Sequence, residues 1–412
     1  MKPLSLRLNR RLGLSGLLGL LLATTALPTA WAQKKYDPGA SDTEIKIGQT
    51  MPYSGPASAY GSQGKTTLAY FKMLNAKGGI NGRKINLISL DDGYSPPKTI
   101  EQTRKLVEQD EVLAIMNALG TPTNSATHKY LNQKKVPQLL ISSGASKWND
   151  PKNNPWSTPF FPPYIEEGII YAKHILQNFP NAKIAVLSQN DDSGRDYVKG
   201  FKQGLGAKVS QIVKEVTYEV TDPTVESQII DLKSSGADTF FLMATPKFGA
   251  QAIRKVGELG WKPHFYVVSV SSSQATVLEP AGLANSTGLV TAMALKLAGD
   301  PTWDNDAGMK EFLAFMKQWS PEGNPMDSSA VLGYVSAQMI ELILKNCGDN
   351  LTRENVLKQA TNLKNVQFGL LLPGVMVNVS PDDYSTFSTF RTARFDGKRW
   401  AIFGEPINAT AK

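Results

Sequence analysis

Apolar and polar positions in this chain alternate with two periods, and the two take turns. Ile45-Lys46-Ile47-Gly48 has the period of two that marks a strand. Over 62–76 the apolar residues Leu68, Phe71 and Leu74 fall at helical spacing, and Gly78-Gly79 ends the run. The pattern then predicts a strand over 85–90 closing on Asp91-Asp92-Gly93, and a helix over 97–109 with proline at its start. A strand over 112–116, a helix over 123–133 and a strand over 137–141 follow. A second run starts near Tyr164. It reads helix 166–177, strand 183–187, helix 196–205, a strand within 209–220, helix 225–233, strand 239–243, helix 247–259 ended by Gly260, and strand 265–268. Strand–helix alternation of this kind means α/β architecture, with parallel sheets covered by helices on both faces. The last third differs. Three helices, over 305–318, 329–344 and 352–363, precede strands over 375–379, 389–395 and 400–403 that read as a β-meander. Residues 33–42 are polar, contain Pro38 and Gly39, and read as a flexible arm.

Composition sharpens this picture. The chain has 412 residues, 41% hydrophobic and 19% charged, which is globular. One core rarely grows beyond ~250–300 residues, so at least two domains are expected. The formal charge is +8, but Lys2, Arg7, Arg10 and Arg11 contribute four of it within residues 1–32, where there is no acid. Removing those four from 44 basic residues leaves 40 against 36 acidic ones, with no basic cluster. That balance argues against nucleic acid as a partner. One cysteine, Cys347, allows no internal disulfide, and three scattered histidines offer no metal site, so no cofactor is expected.

The N-terminus reads as a secretory signal, residues 1–32. A positive stretch up to Arg11 precedes a leucine-rich run over 12–23, and Ala30-Trp31-Ala32 supplies the small-x-small cleavage pattern before Gln33. The apolar run is shorter than the ~20 residues a spanning helix needs. The mature protein is therefore expected in the periplasm.

In open parallel sheets ligands bind beyond the carboxyl ends of the strands. The loops there are rich in hydroxyls and glycine: 51–56, Leu119-Gly120-Thr121-Pro122-Thr123, Ser142-Ser143-Gly144-Ala145-Ser146, 189–194, Ala244-Thr245-Pro246 and 269–273. Helix capping accounts for any one of them. Six on the same side point to a small-molecule cleft, because exposed N–H groups at helix N-termini attract anions. Enzymatic patterns fail. Gly64-Lys65-Thr66 lacks the P-loop's first glycine, the position being Ala59. No Gly-x-Ser-x-Gly occurs after the signal. Asp91-Asp92 and Asp191-Asp192 suit turns and caps better than acid–base work, since neighbouring side chains on a strand end diverge. Cys347 reads as a structural thiol. Tyr53 and Tyr60 flank the glycines of the first loop and could stack on a ligand.

The ordered set of 45–61 (IKIGQTMPYSGPASAYG), 75–84 (NAKGGINGRK), 90–92, 136–146 (VPQLLISSGAS), 183–194 and Gly333-Tyr334 resembles the leucine/isoleucine/valine-binding type of periplasmic solute-binding protein, which serves ABC importers. The resemblance spans roughly 43–400. It implies a two-lobed periplasmic-binding-protein type I fold with a three-stranded hinge near 160–163, 291–295 and 367–371. One lobe would combine 42–161 with 295–369, the other 162–294 with 370–412. It also implies a small-molecule ligand, an ABC permease in the inner membrane as partner, a monomer, and no enzymatic activity.

On the first lobe the matching ligand positions are Gly120, Thr121, Ser143, Gly144, Ala145 and Ser146, which would hold a carboxylate, with Tyr60 beside it. On the second they are Ser193, Thr245 or Pro246, and Ser269. Amino-acid binders of this type place an acid at or beside the position of Ser269, to pair with the α-ammonium. Here Val267-Val268-Ser269-Val270 has none, and a buried ammonium without a counter-charge is costly. The expected ligand is thus an aromatic or branched aliphatic acid, or an amide. Branched-chain or other amino acids are the alternative if Asp191, Asp192 or Glu279 supplies the charge. A ligand-sensing module of a receptor is a further alternative.

Overall fold

Two sheets organise residues 34–408, the part described in the computed structural model; the signal read over 1–32 lies outside them. The first sheet has five parallel strands, in spatial order Lys84–Asp91, Glu44–Met51, Ala114–Met116, Gln138–Ile141 and Ser157–Pro159. The second has seven: Trp400–Asn408, Thr389–Phe395, Val290–Met293, His264–Val267, Thr239–Met243, Ile184–Gln189 and Ile212–Tyr218. Thr389–Phe395 pairs antiparallel with both Trp400–Asn408 and Val290–Met293, and the remaining four pairings are parallel. Numbered along the chain, the parallel strands of both sheets stand in the order 2-1-3-4-5. The chain thus builds one doubly wound plan twice.

Central strands are buried from both sides, which is why they read as apolar runs. All six residues of Ile184–Gln189 and all five of Thr239–Met243 are buried. Helices Tyr164–Asn178 and Asp192–Leu205 pack together against this sheet, and Phe201 stacks on Phe241 with ring centres 4.4 Å apart. The C-terminal helices return to the first sheet. Helix Ser328–Cys347 packs on Gly61–Ala76, burying Tyr334 against Tyr70, Phe312 and Phe315. Residues 294–296 and 370–372 run side by side, with Lys296 N–H donating to the Leu370 carbonyl and Leu372 N–H to that of Ala294.

Three sequence readings change. The arm is pinned: Lys35–Tyr36 pairs with Asn350–Leu351, and Arg83 donates to the Tyr36 hydroxyl. The helix expected over 352–363 ends at Ala360. Thr361 turns its hydroxyl back to the Leu357 carbonyl, and Leu363–Val366 becomes a strand paired with Val377–Val379. The β-meander is therefore absent. Thr389–Phe395 and Trp400–Asn408 instead form a hairpin that extends the second sheet beside Val290–Met293. Among the described residues no helix is long and apolar enough to cross a membrane.

Candidate functional site

In each sheet the strand order reverses between the first and third strands, and helices leave to opposite faces there. The crevice at that point is where doubly wound folds bind ligands. In the first sheet it is flanked by the loops after Met51 and Met116, which carry Tyr60, Gly120 and Thr121. In the second it is flanked by those after Gln189 and Met243, which carry Ser193 and Thr245.

On the first side the structure brings Gly120, Thr121, Ser143, Gly144 and Ala145 together, all buried. The Thr121 and Ser143 hydroxyls are 2.6 Å apart, and Trp148 Nε1 donates to Ser143 Oγ at 2.9 Å. Gly120 has φ +104°, and a Cβ there would lie 2.5 Å from the Tyr94 ring, so only glycine fits. A Cβ on Gly144 would lie 1.9 Å from the Pro162 carbonyl. Beneath these loops a buried network fixes the backbone. Asn117, itself at φ +57°, accepts from Gln63 and Ser336 and donates to Ser142 and the Leu140 carbonyl. The paired aspartates brace a turn, as read. Asp91 accepts from the Tyr53 and Ser54 N–H groups and from Lys98, and Asp92 from Tyr94 N–H and Thr99. Tyr53 is turned to Ser89, at 2.6 Å.

On the second side each expected residue has a partner that sequence did not supply. Ser193 donates to Asp191, which caps helix Asp192–Leu205 through Gly194 N–H and also accepts from Gln189 Nε2. Thr245 N–H donates to the Tyr218 hydroxyl at 2.9 Å, and that hydroxyl donates to Gln189. Ser269 donates both its N–H (2.7 Å) and its hydroxyl (2.9 Å) to Glu167, a fully buried carboxylate that also accepts from Tyr171 and Tyr197. The expectation that Ser269 has no acid beside it is thereby overturned. The acid comes from helix Tyr164–Asn178, 102 positions earlier in the chain.

The two sides also touch. The Tyr60 hydroxyl donates to the Val270 carbonyl at 2.9 Å, and Ser273 to Asp327 at 3.0 Å. Lys147 pairs with Asp192 at 3.0 Å. Ser146, exposed rather than buried, gives its N–H (2.6 Å) and hydroxyl (3.1 Å) to the Asp196 carboxylate. The hydroxyl and N–H that the resemblance assigns to a ligand carboxylate thus hold an internal one.

Electrostatics follow from burial. Desolvation raises the carboxyl groups of Glu167, Asp191 and Asp196 above their usual range, against the hydrogen bonds that favour ionisation. None of the three has an ion pair among the described residues, although Lys199 lies near Asp196. Burial likewise raises the phenols of Tyr60, Tyr94, Tyr164 and Tyr218, which neighbour Asp191 and one another. The Cys347 thiol is buried, pushed up to about 12, and bonded to the Ile343 carbonyl.

Over residues 44–399 the sequence matches the periplasmic binding protein family. The chain belongs to that family. A Leu/Ile/Val-binding protein homologue of Brucella abortus (strain 2308) is 24% identical over 334 residues, 76% of this chain and 80% of its own. A branched-chain amino acid ABC transporter structure from Thermus thermophilus with bound valine has a TM-score of 0.80 at 16% identity, covering 89% of this chain and 98% of that one. An R. palustris solute-binding protein in complex with benzoate has a TM-score of 0.74 at 17% identity, covering 88% and 96%. The fold is thus the type I periplasmic-binding-protein fold.

In this periplasmic binding protein an apolar cavity adjoins the two sides. Phe161, Leu295, Leu332, Phe387 and Phe390 line it, together with Ser269 and Val270. Its volume is about 70 Å³, enough for a small hydrocarbon group. Sequence reasoning missed Tyr94, Tyr164, Tyr218, Gln189, Glu167 and Asp196. Isolated aromatics and a helical Glu or Asp look like ordinary core and surface. The only local signal was the run of acids at Asp191, Asp192 and Asp196.

Proposed function

We propose that the protein is the exported substrate-binding component of an ABC importer. It captures a small organic solute between two lobes, 42–161 with 295–369 and 162–294 with 370–412, and presents it to an inner-membrane permease. The ligand positions are Tyr60, Gly120, Thr121, Ser143, Gly144, Ala145 and Ser146 on one lobe and Ser193, Thr245 and Ser269 on the other. Micromolar capture is about −8 kcal/mol. From ~10 heavy atoms that is nearly 1 kcal/mol each, close to the ~1.5 ceiling, so the solute must be enclosed on all sides. Two hinged lobes do this, and closure follows from tighter binding to the closed form.

The observation that carries the ligand class is a pair of second-lobe carboxylates, Glu167, which is buried, and Asp191, which is half-buried. Neither has an ion pair among the described residues, whereas Asp196 is engaged by Ser146. Buried charges are stable when paired, and a ligand ammonium supplies the missing cation. The solute therefore carries an amino group and an apolar body, as a branched-chain amino acid does. The structural relative bound to valine fits this reading. One observation favours a plain carboxylate instead, a second reading that the relative bound to benzoate fits. Glu167 already accepts four hydrogen bonds, while Ser146 has shown its capacity for an anion on Asp196.

A thermal-shift panel on ligand-stripped protein separates the two. It would compare leucine and valine with 4-methylpentanoate, benzoate, isopentylamine and a short amide. Saturation at 100 times Kd adds about 2.7 kcal/mol of stability. Leucine or valine is expected to raise the melting point. A response to the non-amino acids alone would transfer the assignment to the second reading, and silence across the panel would refute both.

A further inference from the structure

A second cleft lies at the other end of the second sheet, at the amino-terminal ends of strands His264–Val267 and Val290–Met293. Its volume is about 650 Å³, within the ~300–1,000 Å³ usual for small-molecule sites. It sits between the C-terminal end of helix Pro246–Glu258, the turn 284–289 and the sheet. Three features give it a chemistry.

First, it is aromatic. Trp261 and Tyr266 line it, and the His264 ring lies flat on Phe179 with centres 3.5 Å apart. Second, it is cationic. Lys262 and Arg394 line it, and neither has an ion pair among the described residues. The register explains why Arg394 is there: it stands opposite Val290, which stands opposite Tyr266, one row across three strands. The guanidinium is held over the Phe403 ring at 5.1 Å, which leaves its N–H groups unspent. Third, among the described residues no acid lines the cleft. Asp238, at this end of the sheet, is occupied by Lys183 N–H and the Thr239 hydroxyl, and Glu258 lies beside Lys255 at 3.3 Å. A concave surface with flat rings, two free cations and no counter-charge selects a flat anion.

We propose that this cleft is a second ligand site, independent of the interlobe cleft, for a planar aromatic carboxylate or sulfonate of one or two rings. The ring packs on Trp261 and the Phe179–His264 stack, and the anionic group meets Lys262 and Arg394. The site lies at the opposite strand ends from Thr121, Ser143 and Ser193, so both can be filled together.

The test is calorimetric titration of the whole mature protein with 2-naphthoate, with 2-naphthamide as the neutral match and inorganic phosphate as the ringless one. Three proteins are compared: wild type, Lys262→Ala/Arg394→Ala, and Thr121→Val/Ser143→Ala. Both cations are exposed, so their removal leaves the core untouched. Naphthoate is expected to bind at one saturable site that persists in the Thr121/Ser143 variant and weakens at least tenfold in the Lys262/Arg394 variant. Loss in the Thr121/Ser143 variant alone would place naphthoate in the interlobe cleft and overturn the proposal. So would naphthamide or phosphate binding as tightly as naphthoate, or no saturable binding at millimolar concentration. The interlobe reading is judged separately, by the amino-acid panel, so either can fail alone.

Discussion

Asp196 holds the hydrogen-bond donors that a ligand carboxylate would need, and replacing it with alanine tests that competition. The Ser146 N–H and hydroxyl reach its two oxygens at 2.6 and 3.1 Å. A hydrogen bond to a charged acceptor is worth about 1.5–3 kcal/mol net when buried. Here Ser146 is exposed and one bond is long, so the pair together is worth about 1–2 kcal/mol. A ligand carboxylate entering wild-type protein must displace this contact, and in Asp196→Ala it need not. At 1.4 kcal/mol per decade, a carboxylate ligand should bind about 5–30-fold more tightly to the variant. Its decarboxylated amine should bind both proteins equally, because it never uses Ser146. Calorimetry with leucine and isopentylamine reads both numbers. Equal weakening of the two ligands would mean that Asp196 ties the lobes shut and does not compete. An unchanged leucine affinity would mean that Ser146 never meets the ligand, and would refute the carboxylate assignment of its loop.

Other outcomes follow from the same contacts. Glu167→Ala removes the shared acceptor of the Ser269 N–H and hydroxyl and of the Tyr171 and Tyr197 hydroxyls and should cost about 3 kcal/mol in urea denaturation; Glu167→Gln, which keeps one acceptor oxygen, should cost less, and a loss below ~1 kcal/mol for alanine would contradict the buried network. Gly120→Ala forces a Cβ into the Tyr94 ring at φ +104° and should destabilise by more than ~1 kcal/mol while weakening ligand binding; unaltered affinity would remove Gly120 from the site. Desolvation opposes ionisation of Asp91, but Ser54, Lys98 and the Gly93 and Ser54 N–H groups outweigh it and hold its carboxyl well below the usual range. Its stabilising effect is therefore full above roughly pH 4 and lost as pH falls through the folded value. Asp91→Asn should lower stability at pH 7 and flatten the acid limb of the stability curve, and parallel curves for the two proteins would count against this. Glu167, Asp191 and Asp196, shifted upward by burial, act in the opposite sense: the stability tied to each is lost as pH rises through its folded value.

Much of the architecture was written locally. The switch between a period of two and a period of 3.6 located the βα elements, because strand and helix side chains meet the core at those intervals. Local capping chemistry then set the boundaries that pattern alone missed: helix Asp192–Leu205 starts four residues earlier than its apolar spacing implied, because Asp191 caps it. The terminal strands were found one by one, yet their pairing was misread. A strand's own sequence records which face is buried and not which neighbour it joins, so Val377–Val379 could pair with Leu363–Val366 as readily as with the next strand.

The candidate site divides along the same line. The hydroxyl- and glycine-rich loops at strand ends were legible because they must expose N–H groups and turn sharply, and glycine, serine and threonine do so by their own chemistry. Their partners were not. Glu167 meets Ser269 across 102 positions, Asp196 meets Ser146 across 50, and Tyr60 meets Val270 across 210. The sequence determined the twice-built α/β plan and the loops that end its strands, because those depend on neighbours in the chain. Only the tertiary structure decided which charges those loops face, because a buried carboxylate takes its partners from whatever the fold packs beside it.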